Sequence, residues 1–257
     1  MPSGIGNRLI SASAFGVLSV AAKMATRVTS YSSDYAGQSP LLRGLGHKLA
    51  CVPPPVEIPE PSTQGSEELR SRLGLGARRV IGIAGRWVEE KGFDVLLDAL
   101  PLLLCTHPDL QVVYAGEPPL YERFFERCRP AIQRAGDRFT FLGLIQDRQA
   151  MADFYRLSTV FALPSRSDMF ALVQAEALLC GTPVVATDIP GARVAIRDTG
   201  AGVLVEPGNP AALADGIRSV LGAPEQYRPD PANMRQAFDP SRSLDLYETL
   251  LAEMAKT

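Results

Sequence analysis

Short apolar runs alternate with helically spaced apolar residues along most of this chain, and this alternation limits its possible folds more than any other feature. The runs that predict strands are residues 80–84, 110–115, 139–142, 160–163, 184–187 and 203–205. Apolar residues at helical spacing predict helices over residues 93–104, 120–132, 150–157, 172–179 and 211–221. Apolar strands joined by helices are typical of a parallel sheet covered on both faces. The chain is therefore predicted to be an α/β protein with a doubly wound parallel sheet.

The loops that follow the predicted strands are where a ligand is expected. In open parallel sheets, ligands bind in the crevice outside the carboxyl ends of the strands. The loops in that position are residues 85–92, 116–119, 143–147, 165–170 and 188–192.

The loop at residues 85–92 combines glycines with two cations, Arg86 and Lys91. Because it leads into a helix N-terminus, backbone N–H groups and the helix dipole already favour an anion there. The two cations suit a diphosphate, and Lys91 is the only lysine between residues 49 and 255. The alternative is that both cations are solvated and pair with Glu89 and Glu90. The loop is not a Walker loop, because GxxxxGK[ST] is absent.

Two carboxylates lie near the predicted helix at residues 172–179. Asp168 precedes this helix, and Glu176 is the only charged residue between Asp168 and Asp188. A carboxylate in a helix that otherwise resembles core is costly unless it is paired or serves a ligand. We therefore expect both acids to line one cavity and to accept hydrogen bonds from sugar hydroxyls. The alternative is a helix cap for Asp168 and a structural pair for Glu176.

Composition excludes some other functions. A net charge of −2 and 21% charged residues do not indicate a nucleic-acid binder. The four cysteines are dispersed without a CxxC pair, which predicts reduced, mostly buried thiols. Neither His47 nor His107 is placed as a catalytic base, and the acidic residues do not have metal-ligand spacing.

The first 65 residues contain fewer regular elements. Residues 9–25 predict an amphipathic helix of small residues, with a weak signal peptide as the alternative. Short strands are expected at residues 27–30 and 48–52, with a helix near residues 40–45. Five prolines between residues 53 and 61 predict an extended linker over residues 53–65.

Several motifs occur together in an order that resembles a known family. They are GR at 85–86, EKG at 90–92, FLG at 141–143, LPS at 163–165, GTPVVA at 181–186 and VLVEPG at 203–208. With Asp168 and Glu176 in an E-x7-E-like spacing, residues 79–221 resemble the C-terminal, donor-binding domain of the family 4 glycosyltransferases. These enzymes have two Rossmann-like domains in a GT-B fold and transfer sugars from nucleotide donors with retention of configuration.

The resemblance implies a role for each matching residue. Arg86 and Lys91 would hold the donor diphosphate, with Gly85 beside them, and Asp168 would contact the transferred sugar. Glu176 would contact the ribose. Backbone groups would complete the site: Gly143, Leu144 and Ile145 near the base, and Ala171, Leu172 and Val173 near phosphate or sugar oxygens. No metal is expected.

This sequence departs from the family pattern at several positions. Asp168 replaces a glutamate, Ala171 stands where glycine is usual, Pro190 precedes Gly191 in place of a double glycine, and Val194 replaces a common glutamate. Most of the N-terminal acceptor domain, with its glycine loop and usual histidine, is also missing from the pattern.

The resemblance gives an expected domain plan. Residues 1–55 would be the end of the acceptor domain and the crossover, residues 56–78 a linker and domain entry, and residues 79–225 the donor domain. Residues 226–257 would be a return segment, with a terminal helix over residues 235–255.

The expected function is that of a hexosyltransferase using a UDP- or GDP-hexose, incomplete as a single chain. Its acceptor would be a sugar, lipid or other hydroxyl compound. Apolar surface on residues 9–52 and 246–251 predicts a separate acceptor-domain chain or self-association as partner. The expected location is the cytoplasm, with peripheral contact at the inner membrane face.

The sequence leaves three alternatives to a transferase. A non-catalytic nucleotide-sugar-binding module keeps the donor site without transfer. A GT-B-like epimerase would need the other domain and its acid and base residues. A Rossmann-type dehydrogenase would need a GxGxxG motif opening the first helix, which is absent.

Overall fold

The computed structural model describes residues 5–117 and 123–256, with the side chains of the first helix described from residue 13. The described helices are α1 (Ile5–Met24), α2 (Ser33–Gln38), α3 (Thr63–Arg72), α4 (Phe93–Leu104), α5 (Arg123–Ala135), α6 (Arg148–Leu157), α7 (Leu172–Leu179), α8 (Val194–Thr199), α9 (Pro210–Gly222), α10 (Pro231–Ala237) and α11 (Pro240–Met254). The described strands are β1 (Val28–Ser30), β2 (Leu49–Cys51), β3 (Arg79–Ala84), β4 (Leu110–Ala115), β5 (Phe139–Gly143), β6 (Val160–Leu163), β7 (Val184–Thr187) and β8 (Gly202–Val205). The chain divides into two compact units, Met1–Pro55 with Pro240–Thr257, and Val56–Asp239.

The smaller unit contains a parallel pair of strands, β1 and β2, as predicted at residues 27–30 and 48–52. The helix predicted near residues 40–45 is wrong, because the helix in this region is α2, which ends at Gln38. Ser32 caps its start by accepting a hydrogen bond from the N–H of Tyr35, and Pro40 follows its end. Ser32 as an N-cap and Pro40 after the last turn are the usual start and stop signals of a helix, and they place the helix before Pro40.

Exposed apolar side chains occur on two helices of this unit. On α1, Phe15, Val17, Leu18, Val20 and Met24 are exposed, and on α11 so are Leu244, Leu246 and Leu251. The described part of the unit therefore has the apolar surface that the sequence predicts. Among the described residues, no helix is both long and apolar enough to span a membrane.

The larger unit is built on a six-stranded parallel sheet in the order β5-β4-β3-β6-β7-β8. Strand β3 pairs along six residues with β4, from Arg79↔Leu110 to Ala84↔Ala115, but only through Ile81 and Gly82 with β6. The first strand therefore lies in the middle, and the chain builds outward from it in both directions. The predicted α/β fold with a doubly wound parallel sheet is confirmed.

Helices cover both faces of this sheet. One face carries α4, α5 and α9, whose buried residues form a core with Trp87, Phe93 and Tyr114. The other face carries α3, α6, α7, α8 and α10, whose core includes Phe154, Tyr155 and Phe161. The inner strands β3, β4, β6 and β7 are buried on both faces except at Arg79, which explains their nearly continuous apolar sequences.

The structure differs from the prediction at three helical segments: the start of α3, helix α8, and residues 235–255. The extended linker ends at Ser62, because α3 begins at Thr63, within the segment predicted as linker. Helix α8 was not predicted from the sequence. The single terminal helix predicted over residues 235–255 is wrong, because α10 ends at Ala237 and α11 begins at Pro240. Proline is favoured in the first turn of a helix and disfavoured in its interior. The predicted helix start at Leu120 lies outside the described residues.

The cysteines divide into two pairs by exposure. All four are free, but Cys51 and Cys105 are exposed, so the prediction of mostly buried thiols is right only for Cys128 and Cys180. Burial raises the pKa of Cys128 to about 11 and that of Cys180 to about 12.

Helix α3 is fixed to α6 by one nearly buried carboxylate. Asp153 on α6 accepts hydrogen bonds from the backbone N–H of Ser62 at 2.7 Å and from Gln149 Nε2 at 3.1 Å. A side chain at Gly65 would collide with the same carboxylate. The polar start of α3 thus receives a buried acceptor, which explains why a segment of polar composition folds into a helix here.

Replacing Asp153 should therefore destabilise the larger unit. Asp153→Ala leaves the Ser62 N–H and the Gln149 amide without their acceptor, at a cost of about 1–3 kcal/mol in the free energy of unfolding. Urea unfolding measures this change. The control is Asp215→Ala, whose exposed carboxylate pairs with Arg218 at 2.5 Å and should contribute under about 0.5 kcal/mol. Equal losses in the two variants would contradict the role given to Asp153.

Candidate functional site

A crevice opens at the sheet edge where β3 and β6 end, because their following helices pack on opposite faces. After β3 the chain turns to α4 on one face, and after β6 it turns to α7 on the other. The strand order reverses at this point, and such a switch point is the usual ligand site of a doubly wound sheet. The two loops that flank the crevice are those at residues 85–92 and 165–170.

The loop at residues 85–92 is anchored by a buried aromatic side chain. Trp87 is 1% exposed and stacks on Phe93, with ring centroids 4.3 Å apart and an interplanar angle of 9°. Tyr114 meets the same indole edge-on at 5.1 Å, and its hydroxyl donates to the carbonyl of Gly85 at 2.7 Å. Burial, and then the charge of Glu117, hold the pKa of Tyr114 well above its usual value, so its hydroxyl remains a donor. These contacts fix the backbone on both sides of Arg86.

Lys91 and Asp168 join the two loops across the crevice. Lys91 Nζ lies 2.7 Å from Asp168 Oδ2, and both side chains are largely buried, with 23% and 13% of their surface exposed. Asp168 is therefore not a helix cap, and Lys91 does not pair with Glu89 or Glu90. An ammonium group has three N–H donors, so this contact leaves Lys91 able to donate to a further anion.

Arg166 holds the two loops together through the backbone as well as through side chains. Its guanidinium donates twice to the carboxylate of Asp94 at 2.8 Å, and once to the carbonyl of Glu89 at 2.8 Å. Its own N–H donates to the carbonyl of Glu90 at 2.7 Å. The bidentate geometry gives this pair directional specificity as well as charge. Sequence inspection missed Arg166, because its partners lie more than 70 residues earlier in the chain.

Gly92 permits the close approach of the two loops. Its φ is +68°, a conformation that glycine adopts without strain, and a Cβ atom there would collide with the carbonyl oxygen of Pro164. The glycine at this position is therefore required by backbone packing.

A cavity of about 460 Å³ lies between the ends of β3, β4 and β5 and helix α7. Five residues predicted for the site line it, namely Gly85, Arg86, Leu144, Ile145 and Val173. Four more lining residues, Trp87, Val88, Gly116 and Glu117, lie in the loops predicted to face a ligand, and Ala84, Ala115 and Met151 complete the lining from outside those loops. The walls are mainly apolar, which suits a planar ring, and Arg86 is the cation at its edge. No described residue forms an ion pair with Arg86.

Glu176 is bound to a tyrosine of the neighbouring helix. On α7, its carboxylate oxygen Oε2 accepts a hydrogen bond from the hydroxyl of Tyr155 at 2.6 Å. Glu176 is half-buried, whereas Gln174, Ala175, Ala177 and Leu178 around it on the helix are buried. The carboxylate is thus paired, as the structural alternative required, and its position still leaves it partly open to solvent.

Helix α7 begins at a residue with a strained backbone. Ala171 has φ +55° and ψ +76° at the N-cap position, and it makes no side-chain capping hydrogen bond. Among the described residues other than glycine, it alone has a positive φ. The next residue, Leu172, is 44% exposed. The position where the related family usually has glycine is therefore the one where this backbone needs it.

The predicted residues fall into three groups in the structure. The first lines the cavity, and the second holds the paired side chains of Lys91, Asp168 and Glu176, of which Glu176 pairs with Tyr155, a residue that was not predicted. The third is formed by Gly143, Ala171 and Leu172, which do not line the cavity. Gly143 contributes its carbonyl, which accepts the N–H of Gly116 at 2.9 Å, and thereby holds the turns after β4 and β5 together.

The strain at Ala171 predicts a stabilising substitution. Ala171→Gly should raise the free energy of unfolding by about 0.5–1 kcal/mol, because relief of the left-handed conformation outweighs the greater freedom of glycine in the unfolded chain. Chemical denaturation measures the difference. The matched control, Ala211→Gly on the exposed face of α9, should lose about 0.5–1 kcal/mol, since its backbone is helical. If both variants lose stability, the backbone at Ala171 is not strained by its left-handed conformation.

Comparison with known proteins places this arrangement in a family. The family model described as "Glycosyl transferases group 1" matches residues 65–237. A D-inositol 3-phosphate glycosyltransferase of Segniliparus rotundus is 34% identical over 184 residues, covering 70% of this chain and 41% of the relative. A protein of the same name from Geodermatophilus obscurus is 32% identical over 235 residues, covering 86% of this chain and 50% of the relative. The chain spans at most half the length of these two relatives.

A solved structure gives the same fold. The Anabaena protein HepE, in complex with UDP-glucose, superposes with a TM-score of 0.78 and 25% sequence identity. The superposition covers 93% of this chain and 68% of HepE. Since the family model spans most of the larger unit, including both loops of the crevice, this chain belongs to the group 1 glycosyl transferases, and its sheet is that of a GT-B glycosyltransferase domain.

Proposed function

We propose that the crevice between β3 and β6 binds the diphosphate of a UDP- or GDP-hexose, and that the domain is the donor half of a retaining family 4 hexosyltransferase. The observation that carries the proposal is the meeting of Lys91 and Asp168, 77 residues apart in sequence, across the switch point at 2.7 Å. HepE, which shares the fold, was crystallised with UDP-glucose.

In this proposal the apolar cavity receives the base of the nucleotide. Leu144 and Ile145 form one wall, and Trp87 and Val173 lie around it. A cavity of about 460 Å³ with few polar groups is in the range of small-molecule sites, where apolar walls supply affinity and a few polar groups fix orientation.

Arg86 and Lys91 would neutralise the diphosphate. Charge on the leaving nucleotide increases as the bond to the sugar breaks, so cations that are already in place stabilise the transition state more than the bound donor. Lys91 is held by Asp168 and its loop by Trp87 and Arg166, so little reorganisation is needed when the charge develops. The proposed chemistry requires no metal ion.

Asp168 and Glu176 would contact the two sugar rings of the donor. Asp168 would accept a hydroxyl of the transferred hexose while keeping its contact with Lys91, and Glu176 would accept a hydroxyl of the ribose. The backbone N–H groups at the start of α7, from Ala171 to Val173, would donate to phosphate or sugar oxygens.

Transfer would also need a second domain that supplies the acceptor site. The matched regions cover 41% and 50% of the two relatives, and α1 and α11 expose apolar side chains. We propose that an acceptor domain outside this sequence binds a sugar, lipid or other hydroxyl acceptor.

Removing the ammonium group of Lys91 tests the donor site. Lys91→Ala should weaken binding of UDP or GDP by about 10- to 100-fold, because a hydrogen bond from a charged donor contributes about 1.5–3 kcal/mol. Isothermal titration calorimetry with both nucleotides measures the dissociation constants.

The control for this experiment is Lys256→Ala, which removes an exposed lysine near the chain end and should leave affinity within twofold. Thermal unfolding of both variants checks that the fold is kept. Unchanged affinity in Lys91→Ala, or no binding of either nucleotide to the wild type, would refute the donor site.

A further inference from the structure

Tyr155 is a buried side chain whose hydroxyl is not required by the packing of the fold. It is fully buried on α6, where its ring packs against Phe161, with centroids 5.4 Å apart, and against Phe154 at 5.6 Å. The hydroxyl of Thr182 donates to its carbonyl at 2.5 Å, which fixes the backbone at this end of the helix. Both ends of the residue are thus held in place.

The hydroxyl of Tyr155 acts as a permanent hydrogen-bond donor. Burial, followed by the negative charge of Glu176, holds the pKa of Tyr155 well above its usual range. The phenol therefore remains protonated at neutral pH. Its one proton is committed to Glu176 Oε2, at 2.6 Å.

This bond fixes one oxygen of the carboxylate and leaves the other available. An ionised glutamate only accepts hydrogen bonds, and each of its oxygens can take more than one. No described residue donates to Oε1 of Glu176. A short bond from a neutral hydroxyl to a carboxylate is stronger than one between neutral groups, so it restricts rotation of the carboxyl group.

Stability alone does not explain the pairing. A backbone carbonyl would satisfy a buried hydroxyl without burying part of a charge, whereas a partly buried carboxylate carries a desolvation cost. Glu176 is on the helix that begins at Ala171, beside the crevice, and Val173 of the same helix lines the cavity. Glu176 does not line the cavity itself, but it follows Val173 by three residues on the same face of α7, so its carboxylate is held next to the cavity in which the proposed donor would lie.

We propose that Tyr155 is a positioning residue that directs the free oxygen of Glu176 toward the ribose hydroxyls, and so makes the site selective for ribonucleotides. The inference rests on the proposed donor site and adds the residue that sets its selectivity. A site built to hydrogen-bond a hydroxyl discriminates against the analogue that lacks it, because its own polar group is then left without a partner.

The test compares the binding of UDP and GDP with that of their 2′,3′-dideoxy analogues by calorimetry. The wild type should bind the ribonucleotide more tightly, and Tyr155→Phe should reduce this preference about three- to tenfold. Affinity for the dideoxy analogue should change less than twofold, since the ring of Tyr155 is kept. A purely structural role would weaken the binding of both nucleotides alike and leave their ratio unchanged.

Two further variants show whether Tyr155 acts through Glu176. Glu176→Asp, which withdraws the carboxylate by one methylene, should lower the preference as well, and it replaces Tyr155→Phe as the test if that variant does not fold. In the Glu176→Gln background, Tyr155→Phe should change the ratio less than twofold. Tyr227→Phe, in the turn Pro224–Tyr227 away from the crevice, is the hydroxyl-deletion control and should match the wild type.

The outcomes separate the inference from the proposed function. Nucleotide binding with the same ribose preference in Tyr155→Phe and wild type would overturn the inference and leave the donor site intact. A wild type that binds ribonucleotides and dideoxy analogues equally would also overturn it. Failure of the wild type to bind any of the four nucleotides would overturn the proposed function, and the inference with it.

Discussion

Strands β3 and β6 are neighbours in the sheet, yet the helices that follow them pack on opposite faces. The loops that follow these strands therefore leave the same sheet edge toward opposite faces, and they meet where the N–H of Arg166 donates to the carbonyl of Glu90. The candidate site depends on this topological constraint. The first strand of a doubly wound sheet lies in its middle, so residues from the 80s and the 160s of the sequence reach the same crevice.

Several contacts keep this crevice ordered. Trp87 fills the core beneath one loop, the guanidinium of Arg166 ties that loop to the other, and Gly92 allows the two backbones to touch. The ion pair of Lys91 with Asp168 is set within this framework. Because Lys91 is held by Asp168, binding a diphosphate would not require this ammonium group to be ordered first, and preorganisation of this kind favours both affinity and electrostatic stabilisation.

The fold was predictable from the sequence because the four inner strands β3, β4, β6 and β7 are almost entirely buried, and glycine or proline directly follows β3, β4 and β6. The same periodicity indicated α4, α6, α7 and α9. The periodicity did not indicate α3, because the sequence of this helix is polar. Helix α3 depends on Asp153, which accepts the N–H of Ser62 from 91 residues away. The periodicity also failed at Pro240, which starts a new helix inside the segment predicted as one.

The site was predictable in its residue types but not in its contacts. Arg86, Lys91, Asp168 and Glu176 were indicated by position after strands and by family resemblance. The pairings of Lys91 with Asp168 and of Glu176 with Tyr155 depend on tertiary packing over 77 and 21 residues. Similarly, the departure from glycine at position 171 was visible in the sequence, but its physical consequence, a positive φ, needed the backbone.

A crystal structure of this chain with bound UDP tests the central claim most directly. The account predicts the diphosphate in the crevice between β3 and β6, within hydrogen-bonding distance of Lys91 Nζ, and the uracil ring in the cavity beside Leu144 and Ile145. A nucleotide bound elsewhere on the domain, with Lys91 in contact with Asp168 but with no phosphate, would contradict it.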